Sequence, residues 1–450
     1  MSHILIIGGG DAGISAALHI KELDRQADVT VIVADAYPAF SICGLPFFLS
    51  GEVADWHTLA HHNLGELEKQ GISLLLNQKA ETILPETKRV RIIPNDGQTQ
   101  EIAYDKLLIA TGAESARPPI TGLEQRGVFL LRWMADSFAM QQFIEQENPH
   151  KVAIIGGGYI GLEMADALTH RGLEVTVLEF LPEVLSTLDP IMGRLIRAEL
   201  ESKGIRVITG TGVQSIERNE GGLLVNTATG ETSKTDMVLV ATGVKPSTQL
   251  AQTAGITLGV AGSIQVDRRM TTNVQDIFAA GDCAETWHNI LKNKVYMPLG
   301  TTAHKQGQVV GENMVDGNRE FQGSLGTQVV KVFDLVAAGT GLRDLQAAKA
   351  GFDPLTVKLT TSDRNSYYPS AREMNISITG DRTTGRLLGA QIVGHRDSEV
   401  SKRIDIVAAA LFNSMLVGEL CDLDLSYTPP LSSPWDPIQS VAMRWNASRR

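Results

Sequence analysis

A glycine-rich segment occurs twice in this chain. Residues 4–13 (ILIIGGGDAG) and residues 152–161 (VAIIGGGYIG) share an apolar run, the pattern Gly-x-Gly-x-x-Gly and a following alanine- and leucine-rich stretch. In this order of strand, turn and helix, the glycines bring backbone against a dinucleotide pyrophosphate at a helix N-terminus. One such motif is weak evidence, but two in the same setting predict two Rossmann-like, dinucleotide-binding domains.

An acidic residue follows the second predicted strand of each unit. Residues 29–33 (VTVIV) precede Asp35, and residues 175–179 (VTVLE) end on Glu179. In the second unit such an acid accepts hydrogen bonds from the ribose diol of NADH and repels the 2′-phosphate of NADPH. No lysine or arginine follows in residues 180–184, so NADH is predicted to be preferred over NADPH. The alternative is that both acids are solvated strand ends.

Three further strand patterns end in glycine motifs. Residues 107–112 and 237–243 end in Ala-Thr-Gly, and residues 277–282 end in Gly-Asp. Glycine at these positions lets the backbone pass close to a ligand. These segments are therefore predicted to line the two dinucleotide sites.

The pattern changes in the last quarter of the chain. Short alternating runs occur at residues 328–336, 376–379 and 387–393, and a helical pattern follows over residues 404–416. Alternation of this kind is typical of antiparallel strands with one face on a core. A third, α+β domain is predicted here.

Composition excludes several kinds of partner. The chain has 450 residues and 43% hydrophobic content, enough for two or three packed domains, and its net charge is −11 without a basic run. No signal peptide and no apolar stretch of bilayer-spanning length is evident, so we expect a cytoplasmic protein that binds neither nucleic acid nor membrane. Cys43, Cys283 and Cys421 form no Cys-x-x-Cys pattern, so no metal site is predicted.

The order and spacing of these motifs resemble the pyridine nucleotide-disulfide oxidoreductases over essentially the whole chain. The resemblance implies an α/β fold with two Rossmann-like domains and a C-terminal α+β dimerisation domain. It places FAD at the first glycine motif and NAD(P)H at the second. The NAD(P)H-binding domain is inserted in the FAD-binding domain. The implied domains are FAD-binding at residues 1–112 and 246–322, NAD(P)H-binding at 113–245, and dimerisation at 323–450.

Cys43 lies in residues 40–46 (FSICGLP), which point to one branch of that family. Glutathione-reductase-like enzymes carry a second cysteine where this chain has Phe48, so Cys43 has no dithiol partner here. The segment is similar to the single-cysteine branch of coenzyme A-disulfide reductases, persulfide reductases, NADH oxidases and NADH peroxidases. Pro46 favours a helix that begins beside Cys43, and a helix N-terminus is expected to lower the pKa of the thiol.

The resemblance also implies a homodimer, in which the C-terminal segment completes the active site of the partner. Residues 367–369 (YYP) and 427–435 (YTPPLSSPW) agree with this branch. The implied reaction takes a hydride from NADH through FAD to a mixed disulfide or persulfide on Cys43, while Tyr427 protonates the leaving thiolate. The expected substrate is a small disulfide, persulfide or polysulfide.

Departures from the known relatives leave the acceptor open. Asp11 stands where the oxidases and peroxidases carry a histidine, Lys21 and Glu22 replace an arginine pair of the coenzyme A-disulfide reductases, and Trp435 replaces a lysine. These differences favour a sulfur acceptor that need not be a coenzyme A thiol. Two alternatives remain: an NADH oxidase or peroxidase that works through a Cys43 sulfenate, and electron transfer to a protein acceptor, as in ferredoxin or rubredoxin reductases.

The candidate site residues fall into four groups. The predicted catalytic residues are Cys43 and Tyr427. The predicted substrate contacts are Ser15, His19, Ile42, His304, Tyr367, Tyr368 and Trp435. The predicted FAD contacts are Gly8, Gly10, Asp11, Ala12, Gly13, Asp35, Ser41, Ala80, Thr111, Gly112, Arg132, Gly281, Asp282, Thr301, Thr302 and Ala303, with Asp35 replacing a family acid at the position of Val33 on the same strand face. The predicted NAD contacts are Gly156, Gly158, Tyr159, Ile160, Gly161, Glu163, Glu179 and Gly243.

Overall fold

A computed structural model describes residues 2–94 and 97–449. The helices and strands up to residue 109 are β1 (His3–Ile7), α1 (Asp11–Leu23), β2 (Asp28–Ile32), α2 (Leu45–Ser50), α3 (Leu64–Lys69), β3 (Ile72–Leu75), β4 (Lys79–Leu84), β5 (Arg89–Ile93), β6 (Gln100–Ala103) and β7 (Lys106–Ile109). Those from residue 113 to residue 246 are β8 (Ala113–Ser115), β9 (Val128–Leu130), α4 (Met134–Glu147), β10 (Lys151–Ile155), α5 (Tyr159–His170), β11 (Glu174–Glu179), α6 (Pro190–Ser202), β12 (Arg206–Thr209), β13 (Val213–Asn219), β14 (Gly222–Thr227), β15 (Thr232–Thr235), β16 (Met237–Val240) and β17 (Val244–Pro246).

The remaining elements complete the first sheet and form a third region. The next elements are α7 (Gln249–Thr253), β18 (Ile277–Ala279), β19 (Thr286–His288), β20 (Asn293–Val295) and α8 (Gly300–Met314). The last are β21 (Gln328–Val332), β22 (Leu335–Gly341), α9 (Asp344–Lys349), β23 (Pro354–Ser362), β24 (Glu373–Asp381), β25 (Leu387–His395), α10 (Val400–Phe412), α11 (Val417–Leu420) and α12 (Pro437–Arg449).

Two parallel sheets carry the glycine motifs at their carboxyl edges. The first has the order β18-β7-β1-β2-β3 and the second the order β12-β11-β10-β16-β9. Their central strands are almost completely buried. They share hydrophobic cores with α1 and α5 and with the antiparallel sheets β4-β5-β6 and β13-β14-β15, and strands covered on both faces must be apolar throughout. The predicted α/β fold with two Rossmann-like units is confirmed.

The chain leaves the first sheet after β7 and returns to it at β18. Between these strands it builds the second sheet, and short antiparallel strands β8 and β17 pair where it leaves and returns. This path agrees with an inserted second unit, although the exact domain bounds stay predictions.

The third region is a five-stranded antiparallel sheet of order β21-β22-β25-β24-β23, covered by α10 and α12. Trp445 of α12 is fully buried, and its indole nitrogen donates to the carbonyl of Leu355 at 2.7 Å. The predicted α+β region is therefore confirmed. No helix in the described ranges has both the length and the apolar character needed to cross a membrane.

One predicted helix in this region has different bounds, and one strand was not predicted. The helix expected over residues 404–416 begins earlier, at Val400, and ends at Phe412, because the chain turns into a left-handed backbone conformation at Ser414. Strand β23 was not predicted, although Leu355, Val357 and Leu359 alternate with polar residues along it.

Candidate redox active site

Cys43 occupies a one-turn 3-10 helix, Ile42–Gly44, directly before α2. Gly44 caps α2, and Pro46 stands in its first turn, so the predicted helix start beside Cys43 is present. Cys43 is exposed, whereas Cys283 is fully buried and Cys421 half-buried. Phe48 is buried within α2. Cys43 is thus the accessible thiol of the described chain.

An aromatic cluster fixes the segment around Cys43. Tyr37 packs edge-on against Phe40 and Trp56, with ring centroids 5.7 and 5.6 Å apart. Phe138 of α4 packs edge-on against Trp56 at 5.1 Å and against Phe48 at 6.3 Å. Each such pair contributes about 0.5–1.5 kcal/mol beyond its buried area. These rings hold the cysteine segment against the second unit, and they were not predicted as part of the site.

The first glycine motif brings α1 close to β1 and leaves its N-terminus accessible. A Cβ added to Gly13 would lie 2.0 Å from the carbonyl oxygen of Gly8, and one added to Gly8 would lie 2.1 Å from that of Ala110. At Gly10 an added Cβ would meet nothing within 4 Å. This is the arrangement that lets a pyrophosphate reach the backbone at a helix N-terminus.

Helix α8 packs on α1 through two glycines that were not predicted as site residues. Added Cβ atoms at Gly307 and Gly311 would lie 2.4 and 2.8 Å from the carbonyl oxygens of Ala12 and Ala16. The first turn of α8, which contains the predicted contacts Thr301, Thr302 and Ala303, therefore lies beside the N-terminus of α1. Thr302 and Ala303 are buried there, and Thr301 is exposed.

Gly281 and Asp282 reach the same place from β18. Gly281 has a left-handed φ of +82°, and a Cβ added to it would lie 2.9 Å from the side chain of Ala12. Asp282 accepts a hydrogen bond from the Arg132 guanidinium at 2.7 Å, and Arg132 also donates to the carbonyl of Ala113 at 3.1 Å. Thr111 donates to the carbonyl of Ser247 at 2.6 Å. The predicted FAD contacts from four separate segments thus converge.

Asp35 follows the end of β2. The strand ends at Ile32, but the amide of Val33 still donates to the carbonyl of Leu75 at 2.9 Å, and the carbonyl of Asp35 accepts from the amide of Asn77 at 2.9 Å. The role of Asp35 in FAD binding stays a prediction. The Asp35 carboxylate accepts a hydrogen bond from the backbone of Tyr37 at 2.9 Å, which forms a local turn. Ser41 is half-buried beside Cys43, Ala80 is buried in β4, and Gly112 has a left-handed φ of +67°.

The second glycine motif repeats the geometry of the first. Added Cβ atoms at Gly156 and Gly161 would lie 2.4 Å from the carbonyl oxygen of Ala241 and 1.9 Å from that of Gly156, whereas at Gly158 nothing lies within 4 Å. Gly243 has a left-handed φ of +104°. The second site is therefore also open to a pyrophosphate at the N-terminus of α5.

Glu179 has a structural task besides the predicted one. It is buried, and its two carboxylate oxygens accept hydrogen bonds from the backbone of Gly157 at 2.6 Å and of Leu181 at 2.7 Å. It thereby ties the glycine loop to the end of β11. Each oxygen keeps a second lone pair for a ligand. Tyr159 is half-buried near Thr187, and Ile160 is exposed.

Desolvation and neighbouring acidic groups both raise the pKa of Cys43. Although the residue is exposed, neighbouring protein partly desolvates the thiol and raises its pKa, and the charges of Asp11 and Glu163 raise it further, while Arg132 opposes them. The prediction that the helix N-terminus lowers the pKa of the Cys43 thiol is therefore wrong, because the groups of this chain raise it. Burial also raises the pKa of Glu163 to about 7, against the opposing charge of Lys331.

Ser15, His304 and Asp11 come together, but His19 points elsewhere. His304 Nδ1 lies 2.7 Å from Ser15 Oγ, and His304 Nε2 lies 3.5 Å from Asp11 Oδ1. His19 lies instead between two carboxylates, 2.9 Å from Glu22 and 3.9 Å from Glu312. These two carboxylates would repel an anionic substrate, so His19 is poorly placed to bind one.

The C-terminal tyrosines share one amide. Asn365 Nδ2 donates to the hydroxyl of Tyr427 at 2.8 Å and to that of Tyr367 at 3.2 Å. Tyr367, Tyr427 and Trp435 are 72%, 46% and 56% exposed, so three large aromatic side chains lie on the surface of one protomer. Tyr368 is half-buried next to them, and Ile42 is half-buried beside Cys43.

A buried charge network supports these aromatic residues. Arg403 donates to Asp436 at 3.1 Å and to the carbonyl of Asp363 at 2.7 Å. Arg364 donates to Asp363 at 2.8 Å and to the carbonyl of Pro430 at 2.9 Å. The network links the loop of Tyr367 to the segment of Tyr427 and fixes their relative positions.

Comparisons with known proteins agree with this architecture. The family profile of the pyridine nucleotide-disulphide oxidoreductases matches residues 2–307, and the profile of their dimerisation domain matches residues 327–437. The chain belongs to this family. FAD and NAD(P)H are therefore its cofactors, and a homodimer is its expected assembly.

Individual relatives cover nearly the whole chain. The NAD(P)H coenzyme A polysulfide/persulfide reductase of Pyrococcus horikoshii is 35% identical over 448 residues, which are 98% of this chain and 97% of that protein. A protein of Methanocaldococcus jannaschii named NADH oxidase is 33% identical over 440 residues, 97% of each. The structure of an NAD-dependent persulfide reductase from A. fulgidus has a TM-score of 0.96 and 37% identity, and covers 99% of this chain and 83% of that one.

The charge on Glu163 is predicted to hold the Cys43 thiol protonated. Glu163 has a pKa of about 7 and so is ionised above neutral pH, where the thiol titrates. Replacing Glu163→Gln removes that negative charge and should shift the Cys43 titration to lower pH. The pH dependence of iodoacetamide alkylation at Cys43, followed by mass spectrometry, measures this shift.

Glu52→Gln is the matched control, since Glu52 lies in the same pocket as Glu163 and Lys331. It should leave the alkylation midpoint at its wild-type pH. An equal shift in both variants, or an upward shift in Glu163→Gln, would contradict the assigned electrostatics.

Proposed function

We propose that this protein is an NAD(P)H-dependent, FAD-containing reductase of a small disulfide, persulfide or polysulfide, and that Cys43 receives the substrate sulfur. The observation that carries the proposal is the accessible Cys43 thiol at the start of α2, within the field of Asp11 from the first glycine motif. The names of the relatives from Pyrococcus horikoshii and A. fulgidus support the same class of substrate.

The residues at the first glycine motif fit FAD. Gly10 faces open space at the N-terminus of the 13-residue helix α1, where backbone amides bind a pyrophosphate. Gly281 and Asp282 would hold the cofactor from the other side, with Arg132 orienting Asp282. When bound, FAD accepts a hydride from NAD(P)H and passes the electron pair to sulfur.

The proposed reaction balances with one proton taken from solvent: NAD(P)H, H⁺ and RSSR give NAD(P)⁺ and two RSH. The Cys43 thiol loses its proton as it attacks one sulfur of RSSR, so that a mixed disulfide forms and the released RS⁻ takes up that proton as RSH. The electron pair and proton delivered by NAD(P)H, together with the solvent proton, then cleave the mixed disulfide, which releases the second RSH and restores the Cys43 thiol.

Tyr427 is the proposed proton donor to the leaving thiolate, and it is proposed to act on the partner subunit. Support comes from the exposure of Tyr427, Tyr367 and Trp435, since exposed aromatic clusters on a soluble protomer mark interaction surfaces. Asn365 keeps the two phenol groups side by side.

The reducing cytoplasm, which supplies NADH and free thiols, is the proposed compartment.

Replacing Cys43→Ser should lower kcat/KM for sulfur acceptors at least roughly a thousandfold. The reason is that the serine hydroxyl neither forms a mixed disulfide nor accepts the electron pair. Reduction of bound FAD by NADH should persist, which stopped-flow absorbance measures. Cys421→Ser is the control, since the half-buried Cys421 contacts Asn446, and its activity should be close to that of the wild type. Undiminished sulfur reduction by Cys43→Ser would contradict the proposal.

The proposed action in trans predicts complementation between inactive subunits. Tyr427→Phe homodimers should lose roughly a hundredfold in kcat, the usual worth of a general acid. A heterodimer of Cys43→Ser and Tyr427→Phe chains contains one site with both groups intact, so it should recover roughly half of the wild-type activity. Purification on two different affinity tags isolates the heterodimer. If it were no more active than the two homodimers, Tyr427 would not act across the interface.

Preference for NADH over NADPH is proposed from Glu179. Glu179 ends β11 beside the glycine loop, and each of its carboxylate oxygens keeps a lone pair that can accept from a ribose hydroxyl of NADH. Glu179→Gln should reduce the ratio of kcat/KM for NADH to kcat/KM for NADPH roughly tenfold, which corresponds to about 1.4 kcal/mol. Glu183→Gln should leave it unchanged. A wild-type enzyme that prefers NADPH would refute this assignment.

A further inference from the structure

Three metal-binding side chains from separate elements converge beside the first glycine motif. Asp11 is the first residue of α1, His304 lies in the first turns of α8, and His61 lies in the loop before α3. One potential ligand atom from each lies within 4.8 Å of the other two. Their separation along the chain kept them from being recognised as a group in the sequence.

Helix packing and a hydrogen bond fix His304 in this cluster. Gly307, one turn further along α8, lies against the carbonyl oxygen of Ala12, which brings the two helices to their closest approach. Ser15 Oγ lies 2.7 Å from His304 Nδ1. When Nδ1 donates its hydrogen to Ser15, the lone pair of Nε2 faces Asp11, as in metal sites where an outer partner sets the histidine tautomer.

The distances suit a tetrahedral metal ion. Zinc bonds to histidine nitrogen and carboxylate oxygen are about 2.0–2.2 Å long, so neighbouring ligand atoms in a tetrahedron lie roughly 3.4 Å apart. His304 Nε2 and Asp11 Oδ1 are already 3.5 Å apart. The rings of His61 and His304 meet edge-on with centroids 6.1 Å apart, and one ring nitrogen of His61 lies within 4.8 Å of the ligand atoms of the other two residues.

The ligand set selects the class of metal. Two imidazoles and one carboxylate suit Zn²⁺ and related transition metals, whereas Mg²⁺ and Ca²⁺ take oxygen ligands. We propose that Asp11, His61 and His304 form a Zn²⁺ site next to Cys43, and that the bound ion blocks the reactions of this thiol. The blocking of turnover rests on the proposed function, but binding of the ion and protection of the thiol do not.

Titration of the FAD-loaded enzyme with Zn²⁺ in a calorimeter tests the site directly. One ion should bind per subunit, and His304→Gln and His61→Gln should each weaken binding by at least roughly tenfold. His62→Gln is the matched control because His62, the half-buried neighbour of His61, lies 3.9 Å from Glu66 and does not belong to the cluster. It should bind Zn²⁺ as the wild type does. Flavin absorbance checks that each variant keeps its FAD.

Alkylation of Cys43 provides a readout that needs no turnover. Zn²⁺ should slow iodoacetamide labelling of Cys43 at least tenfold in the wild type and in His62→Gln, but not in His304→Gln. Co²⁺, whose visible absorbance reports tetrahedral coordination, should give that spectrum in the wild type and lose it in His61→Gln.

Two results would overturn the site: no Zn²⁺ binding to the loaded wild-type enzyme, or binding that is unchanged in both His304→Gln and His61→Gln. Protection of Cys43 that is equal in His304→Gln and the wild type would overturn the proposed blocking. An enzyme that binds Zn²⁺ as described yet reduces no sulfur acceptor would refute the proposed function and leave the metal site standing.

Discussion

Close backbone contacts that only glycine allows are the constraint on which this structure depends. Gly13 lets α1 lie against the carbonyl oxygen of Gly8, and Gly307 lets α8 lie against that of Ala12. A methyl group at either glycine would lie within 2.4 Å of a backbone oxygen, so neither helix could approach as it does. Because both helices start at the same place, their first turns, the end of β18 and the Cys43 segment meet around one site.

The site itself is a balance of charges around a single thiol. Asp11 and Glu163 disfavour the thiolate of Cys43, and Arg132 favours it while also holding Asp282. A thiol kept protonated at rest resists random oxidation, since the thiolate is the reactive form. The acids around Cys43 therefore fit a cysteine that is reserved for a bound sulfur substrate better than one that reacts freely with peroxide.

Much of this fold could be predicted from the sequence because its determinants are local. The glycine spacing and the strand-end motifs act within a few residues, and Cys43 stands in a recognisable segment. Other features depend on distances between elements that are far apart in sequence. The pairing of His19 with Glu312, the amide of Asn365 between two tyrosines, and the meeting of His61 with His304 could not be read from spacing.

The central claim is that electrons from NAD(P)H leave the protein through sulfur at Cys43. The most direct test reduces the enzyme anaerobically with one equivalent of NADH and mixes it in a stopped-flow instrument with a disulfide, a polysulfide, oxygen or peroxide, while flavin absorbance is recorded. The account predicts that at least one sulfur acceptor reoxidises the enzyme faster than oxygen or peroxide does. Faster reoxidation by oxygen or peroxide than by every sulfur acceptor would contradict it, and the oxidase or peroxidase alternative would then hold.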